Sequence, residues 1–143
     1  MKKLIFLFAF VLFSTLSYSQ ELTYSKNYNG DTVAKDQYGN IVATGSKNYN
    51  GDFVWKDKYG NVIKTESRNY NGDKVSKDNY GNTQSTQSTN YNGEEVVKDQ
   101  YGNVKYTLSK DYNGNIVKKD KYGNLLGTYK KNYNGDMVYY PNN

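Results

Sequence analysis

Aromatic rings at fixed spacing are the feature of this sequence best suited to doing chemistry. Tyr28, Tyr49, Tyr70, Tyr91, Tyr112 and Tyr133 head Tyr-Asn-Gly triplets, and Tyr38, Tyr59, Tyr80, Tyr101 and Tyr122 head Tyr-Gly-Asn triplets. A flat ring with a polar tip stacks on a sugar ring or anchors a protein partner. We single out Tyr38, Tyr59, Tyr80, Tyr101 and Tyr122, together with the sole tryptophan Trp55, as candidate aromatic platforms for a ligand. The structural use of the same tyrosines is to cover hairpin ends and fill the core. Ala34, Trp55, Ser76, Val97, Lys118 and Tyr139 occupy one repeat position and share no chemistry. That variety argues against one identical ligand per repeat on their face.

Other chemistries lack their residues. The chain has no Cys and no His, which removes thiol nucleophiles, imidazole bases and the usual zinc ligands. Asp111-Tyr112-Asn113-Gly114-Asn115 has oxygens near a glycine, but the alternating acid spacing and distal Glu of a calcium loop are missing. Asn and Asp are also what tight turns need for local hydrogen bonding. Glu94 and Glu95 are adjacent, so on a strand they point to opposite faces and cannot act as a glycosidase pair. We expect no catalytic residues, no metal, no cofactor and no enzyme activity. The recurring Lys-Asp step (Lys35-Asp36, Lys56-Asp57 and later copies) reads as a surface charge ladder that sets register and solubility.

The chain begins with Met1-Lys2-Lys3, an apolar run from Leu4 to Leu12, and a small polar stretch ending Ser17-Tyr18-Ser19. This is a secretory signal of residues 1–19, cut before Gln20, and the run is too short to span a bilayer. Residues 20–143 are then one secreted or periplasmic domain with no membrane span. Loss of Lys2 and Lys3 lowers the formal net charge from +5 to +3. Lysines and aspartates are interspersed, so no basic stripe for nucleic acid forms.

The triplets recur every 21 residues, the mark of stacked or radially repeated units. Each unit has two turn signals and hence two short strands, about Asp31 to Lys35 and Asn40 to Lys47 in the first copy. Eleven of the 13 glycines sit in the turns. An Asx residue first and Gly fourth suits a type I turn followed by a glycine bulge, and Asn29-Gly30 also suits a type I′ turn. Val33, Val54, Val75, Val96, Val117 and Val138 are fixed, whereas Thr32, Phe53, Lys74, Glu95, Ile116 and Met137 vary. Alternation predicts Val toward the packed side and these neighbours toward solvent, with the recurring Thr and Ser of the long strand also inside.

After the expected signal, the mature chain opens on half a repeat, Leu22 to Asn27, and closes on the other half, Asp136 to Tyr140. The fold class is therefore all-β: six hairpins arranged radially and closed by pairing of the two terminal half-repeats. The alternative is an open β-solenoid or meander.

Asp31, Val33, Asp36 and Tyr38, with their later equivalents, resemble the hairpin phrase of the small secreted five-fold β-flower proteins, and less closely toxin Tyr-Asp repeats and cell-wall-binding hairpins. The β-flower resemblance implies a radial hairpin fold and brings no established activity. The functional expectation is an exported, non-catalytic module that binds a polysaccharide or a surface protein. The alternative is a self-assembling structural or surface-fibre protein.

Overall fold

The computed structural model describes residues 21–142, so the signal-peptide assignment lies outside the described residues. Twelve strands follow in order: β1 (Thr23–Lys26), β2 (Thr32–Lys35), β3 (Ile41–Lys47), β4 (Phe53–Asp57), β5 (Val62–Arg68) and β6 (Lys74–Lys77). The second half continues with β7 (Thr83–Thr89), β8 (Glu95–Asp99), β9 (Val104–Lys110), β10 (Ile116–Asp120), β11 (Leu125–Lys131) and β12 (Met137–Pro141). Every strand pairs antiparallel with its chain neighbours, and β1 pairs with β12 to close a barrel of six hairpins. The two terminal half-repeats form the sixth hairpin, as the sequence predicts. No helix occurs among the described residues.

The turns are type I with a glycine bulge. Gly30 donates its N–H to the Asn27 carbonyl at 3.0 Å, and the Asn27 N–H reaches the Asp31 carbonyl at 3.0 Å. All eleven turn glycines have φ between 79° and 90°, and among the described residues no other residue type has positive φ. That rules out the type I′ turn, which would need positive φ at Asn29 as well.

The inside and outside of the wall are reversed from the sequence expectation. Ala34, Trp55, Ser76, Val97 and Lys118, the variable residues after the fixed Val, are buried and face the lumen. Thr32, Lys74, Ile116 and Met137, the variable residues before it, are buried too. Most of the fixed valines are only half-buried and lie on the outer wall. There Val54 pairs with Thr65 on one side and Ser46 on the other, so Ser, Val and Thr make a repeating outer belt.

Closure explains the reversal. Outer positions each meet only their cross-strand neighbours, so one good β-branched solution serves every copy. Lumen positions converge on a shared interior, where six copies of one large side chain would collide. The lumen is filled by pairing large with small instead. Phe53 and Trp55 meet edge to face, with ring centroids 5.3 Å apart, over Gly45. Tyr139 lies over Gly127 in the same way and tilts against Tyr129 at 4.6 Å. These are the two glycines outside the turns, and each is there for space.

The lumen has two sectors. Leu22, Tyr24, Trp55, Tyr106, Leu108, Ile116, Tyr129 and Met137 belong to its apolar cluster. The polar sector runs over β5 to β7, with Lys64, Glu66, Lys74, Ser76, Ser85 and Gln87 buried. Glu66 is ion-paired to Lys64 and lies 3.7 Å from Lys74. Burial pushes the Lys74 amine down to about 8 and lowers Lys64 as well, against the pull of Glu66.

A Cβ at Gly45 would stand 2.8 Å from Trp55 Cδ2 and closer still to Phe53. Gly45→Ala should therefore cost about 1–3 kcal/mol by overpacking, and Phe53→Leu in the same chain should restore part of it. Denaturant midpoints of the three proteins measure this. A Gly45→Ala chain as stable as the parent would contradict the packing described.

Candidate functional site: two rings of turn tyrosines

Each turn carries its own polar lock. In the turns that follow the long strands, the Asn27 side-chain oxygen accepts the Asp31 N–H at 2.9 Å, while the Asn27 amide donates to the Asp31 carboxylate at 3.3 Å. The turns that follow the short strands exchange the partners. Asp36 accepts the N–H groups of Tyr38 and Asn40, both at 2.9 Å, and the Asn40 amide at 3.0 Å. The two triplets are thus one turn, with an acid and an amide at its first and fifth positions in either order. Asp111 and Asn115 show the rule within a single repeat: the first residue is an acid there, and the fifth is an amide. Two acids would repel, whereas acid plus amide supplies both an acceptor and a donor.

These bonds hold the turn aspartates below the usual carboxylate range. For Asp36, Asp57, Asp111 and Asp120 the largest cause is the bond from the asparagine side chain. At Asp99 the Asn103 backbone N–H leads. At Asp78 desolvation opposes the shift and is outweighed by the bonds from Asn82, Tyr80 and Gln84. The same oxygens are the ones a calcium loop would need, and here they serve the turn.

Alternation of strand direction sends the two turn types to opposite ends of the barrel. Tyr28, Tyr49, Tyr70, Tyr91, Tyr112 and Tyr133 crown one end, at 104–109 % relative exposure. Tyr38, Tyr59, Tyr80, Tyr101 and Tyr122 ring the other end at 77–84 %. All eleven sit at hairpin ends but none fills the core, so the core-filling role expected from the sequence is corrected. Two rings of the second set carry a lysine: Lys58 Nζ lies 5.0 Å from the Tyr59 centroid and Lys121 Nζ 4.9 Å from that of Tyr122.

Trp55 is the other correction. It is 0 % exposed inside the barrel and offers no face to an external ligand. Its position varies because it belongs to the lumen. Among the described residues, the tyrosines outside the two turn registers form no outward patch as a group. Tyr24, Tyr106 and Tyr129 are buried, Tyr139 is half-buried, and Tyr140 alone is exposed. Tyr139 donates its hydroxyl to the Leu126 carbonyl at 3.0 Å. Lys118 Nζ sits 4.3 Å from the Tyr106 centroid, and burial lowers its amine to about 8.

No protein-family model matches the chain, and no curated protein matches it. The crystal structure of a protein from Arabidopsis thaliana superposes with a TM-score of 0.58 at 13 % identity, covering 86 % of this chain and 80 % of that one. The likeness is one of fold, to another β-rich protein. Alternansucrase in complex with isomaltononaose matches at 19 % identity over 87 % of this chain and 12 % of its own, but its TM-score of 0.22 carries no argument.

The turn locks set the acid response. The unfolded chain takes up protons as pH falls below about 4, the ordinary carboxylate range. The folded turns resist until their lowered values are reached, so the stability they confer is complete above that range and drains as pH falls through it. Denaturant midpoints should drop steeply between about pH 4 and pH 2, and Asp36→Asn combined with Asp57→Asn should flatten the drop. A midpoint indifferent to pH across that window would contradict the locks.

Proposed function

We propose that this chain is an exported, non-catalytic binding module whose platforms are its turn tyrosines and whose ligand is a glycan or surface protein outside the cytoplasm. One observation carries the reading. The six tyrosines of the crown are fully exposed in every copy, at a turn position where the fold does not require them. The second residue of a type I turn tolerates most residue types. Keeping a large exposed ring there six times, while the lumen varies freely, is more than turn geometry demands.

Exposure shifts the weight between the rings. The sequence favours Tyr38, Tyr59, Tyr80, Tyr101 and Tyr122, but the opposite crown presents the barer faces. Rings arranged around a barrel end meet a repetitive polymer at several points, which raises avidity without tight single contacts. The fibre alternative receives less support, because β1–β12 pairing leaves no strand edge to template a cross-β stack. The resemblance to five-fold β-flower proteins fits the radial hairpins and adds no activity.

Retention of residues 20–143, which contain every strand, on insoluble cellulose, chitin and peptidoglycan tests the reading. We expect retention on at least one, and a loss of roughly tenfold in affinity for the triple variant Tyr28→Ala, Tyr49→Ala, Tyr70→Ala at an unchanged denaturant midpoint. Retention unaffected by the triple variant, or none on any polysaccharide or on intact cells, would overturn it.

A further inference from the structure

The end of the barrel opposite the crown has a different surface chemistry. Each of its five hairpins slips register by one residue: Ala34 faces Ala43 and Lys35 faces Ile41, leaving Val42 as the bulge. The same slip makes Ile63, Gln84, Lys105 and Leu126 the bulge residues of the later hairpins. A bulge breaks the in-out alternation and re-aims side chains at a barrel rim. Successive residues therefore emerge together, as Val62 with Ile63 and Leu125 with Leu126 do.

These exposed residues are not evenly spread. Ile41 on β3, Val62 and Ile63 on β5, Leu125 and Leu126 on β11 and Tyr140 on β12 are all at least 36 % exposed. The strands β11, β12, β1, β2, β3, β4 and β5 are consecutive in the barrel, so the apolar residues fall within one half of the rim, with Leu125–Leu126 and Val62–Ile63 at its two ends and Glu21 exposed beside β1 between them. The other half carries Thr83 and Gln84 on β7 and Val104, half-buried, with Lys105 on β9 at the same positions. An aliphatic arc of this kind is not explained by the closed sheet behind it.

Its surroundings point to an occupant. Lys35, Lys56 and Lys119 pair directly across from Ile41, Val62 and Leu125. Lys58 and Lys121 stand on the adjoining turns over Tyr59 and Tyr122. Asp57 and Asp120 accept bonds from their own asparagines and make no ion pair among the described residues, and Lys56, Lys58, Lys119 and Lys121 are exposed beside them. Aliphatic side chains, a flank of tyrosines and a collar of lysines match the layers of an anionic bilayer: acyl boundary, headgroup interface and phosphate plane. A glycan would use the rings and lysines but gain nothing from bare Leu and Ile.

We propose that this rim docks the barrel peripherally on an anionic lipid surface, with the tyrosine crown held facing away from it. Co-sedimentation of residues 20–143 with vesicles tests this, using equimolar phosphatidylcholine and phosphatidylglycerol against phosphatidylcholine alone. Binding to the anionic vesicles at low salt is expected, weakening as salt screens the lysines. Leu125→Gln with Leu126→Gln should reduce it roughly tenfold, as should Lys58→Glu with Lys121→Glu, while Tyr49→Ala with Tyr70→Ala on the crown leaves it unchanged. Should the leucine pair fail to fold by circular dichroism, Ile63→Gln on β5 makes the same test. No binding to anionic vesicles at low salt, binding indifferent to both rim variants, or capture by a soluble acidic polysaccharide with none by vesicles would each overturn the proposal.

Discussion

Six near-identical hairpins must fill one lumen, and almost everything else in this protein follows from that constraint. A closed ring removes strand edges, but it also brings equivalent side chains toward a common axis. A twelve-stranded barrel is wider than the eight-stranded kind whose interior side chains fill easily, so large residues are needed. They cannot be the same large residue in every copy. Phe53 and Trp55 come from one strand and Tyr24, Tyr106, Tyr129 and Tyr139 from three other hairpins, and Gly45, Gly127, Ala34 and Ala43 yield the space. Burying one such ring contributes about 1.5–3 kcal/mol, and mispacking it forfeits a similar amount.

The remaining volume is closed by polar side chains at a cost. Glu66 is 2 % exposed and is neutralised by Lys64 and Lys74, one from its own strand and one from the next. Such a triad stabilises little on balance, because desolvation offsets most of the attraction, yet losing one member would leave a buried charge unpaired. The outer belt of Ser, Val and Thr and the turn locks are free of this problem. Each is a local solution that can recur from unit to unit, so repetition survives there.

That division explains what was legible in the residues. The 21-residue period, the two turns per unit, the glycine bulges and the closure by half-repeats all depend on local chemistry or on chain ends, and each is readable from spacing. The face assignment failed because it equated a fixed residue with a packed one. In a sandwich that inference is sound; in a symmetric closed lumen it inverts, as Val54 and Trp55 show side by side. A signal for the correct reading was present, since Trp55, Tyr139 and Val97 are too apolar for a solvated face while Gly45 and Gly127 interrupt strands without making turns. The rim at Ile63 and Leu126 was not legible. Strict alternation passes through a bulge without registering it, and only the observed register slip reveals the change of direction.

The crown of tyrosines, the rim and the lumen all depend on which side of the wall faces inward, and the single tryptophan reports on that directly. The measurement to make is the fluorescence of Trp55 in folded residues 20–143, with its quenching by iodide followed through a denaturant titration. With Trp55 in the lumen, emission is blue-shifted and iodide barely touches it until the barrel unfolds, when a red shift and free quenching follow in one step. Red-shifted emission that is readily quenched in the folded protein would place Trp55 on the outer wall and contradict the inverted packing on which the rest is built.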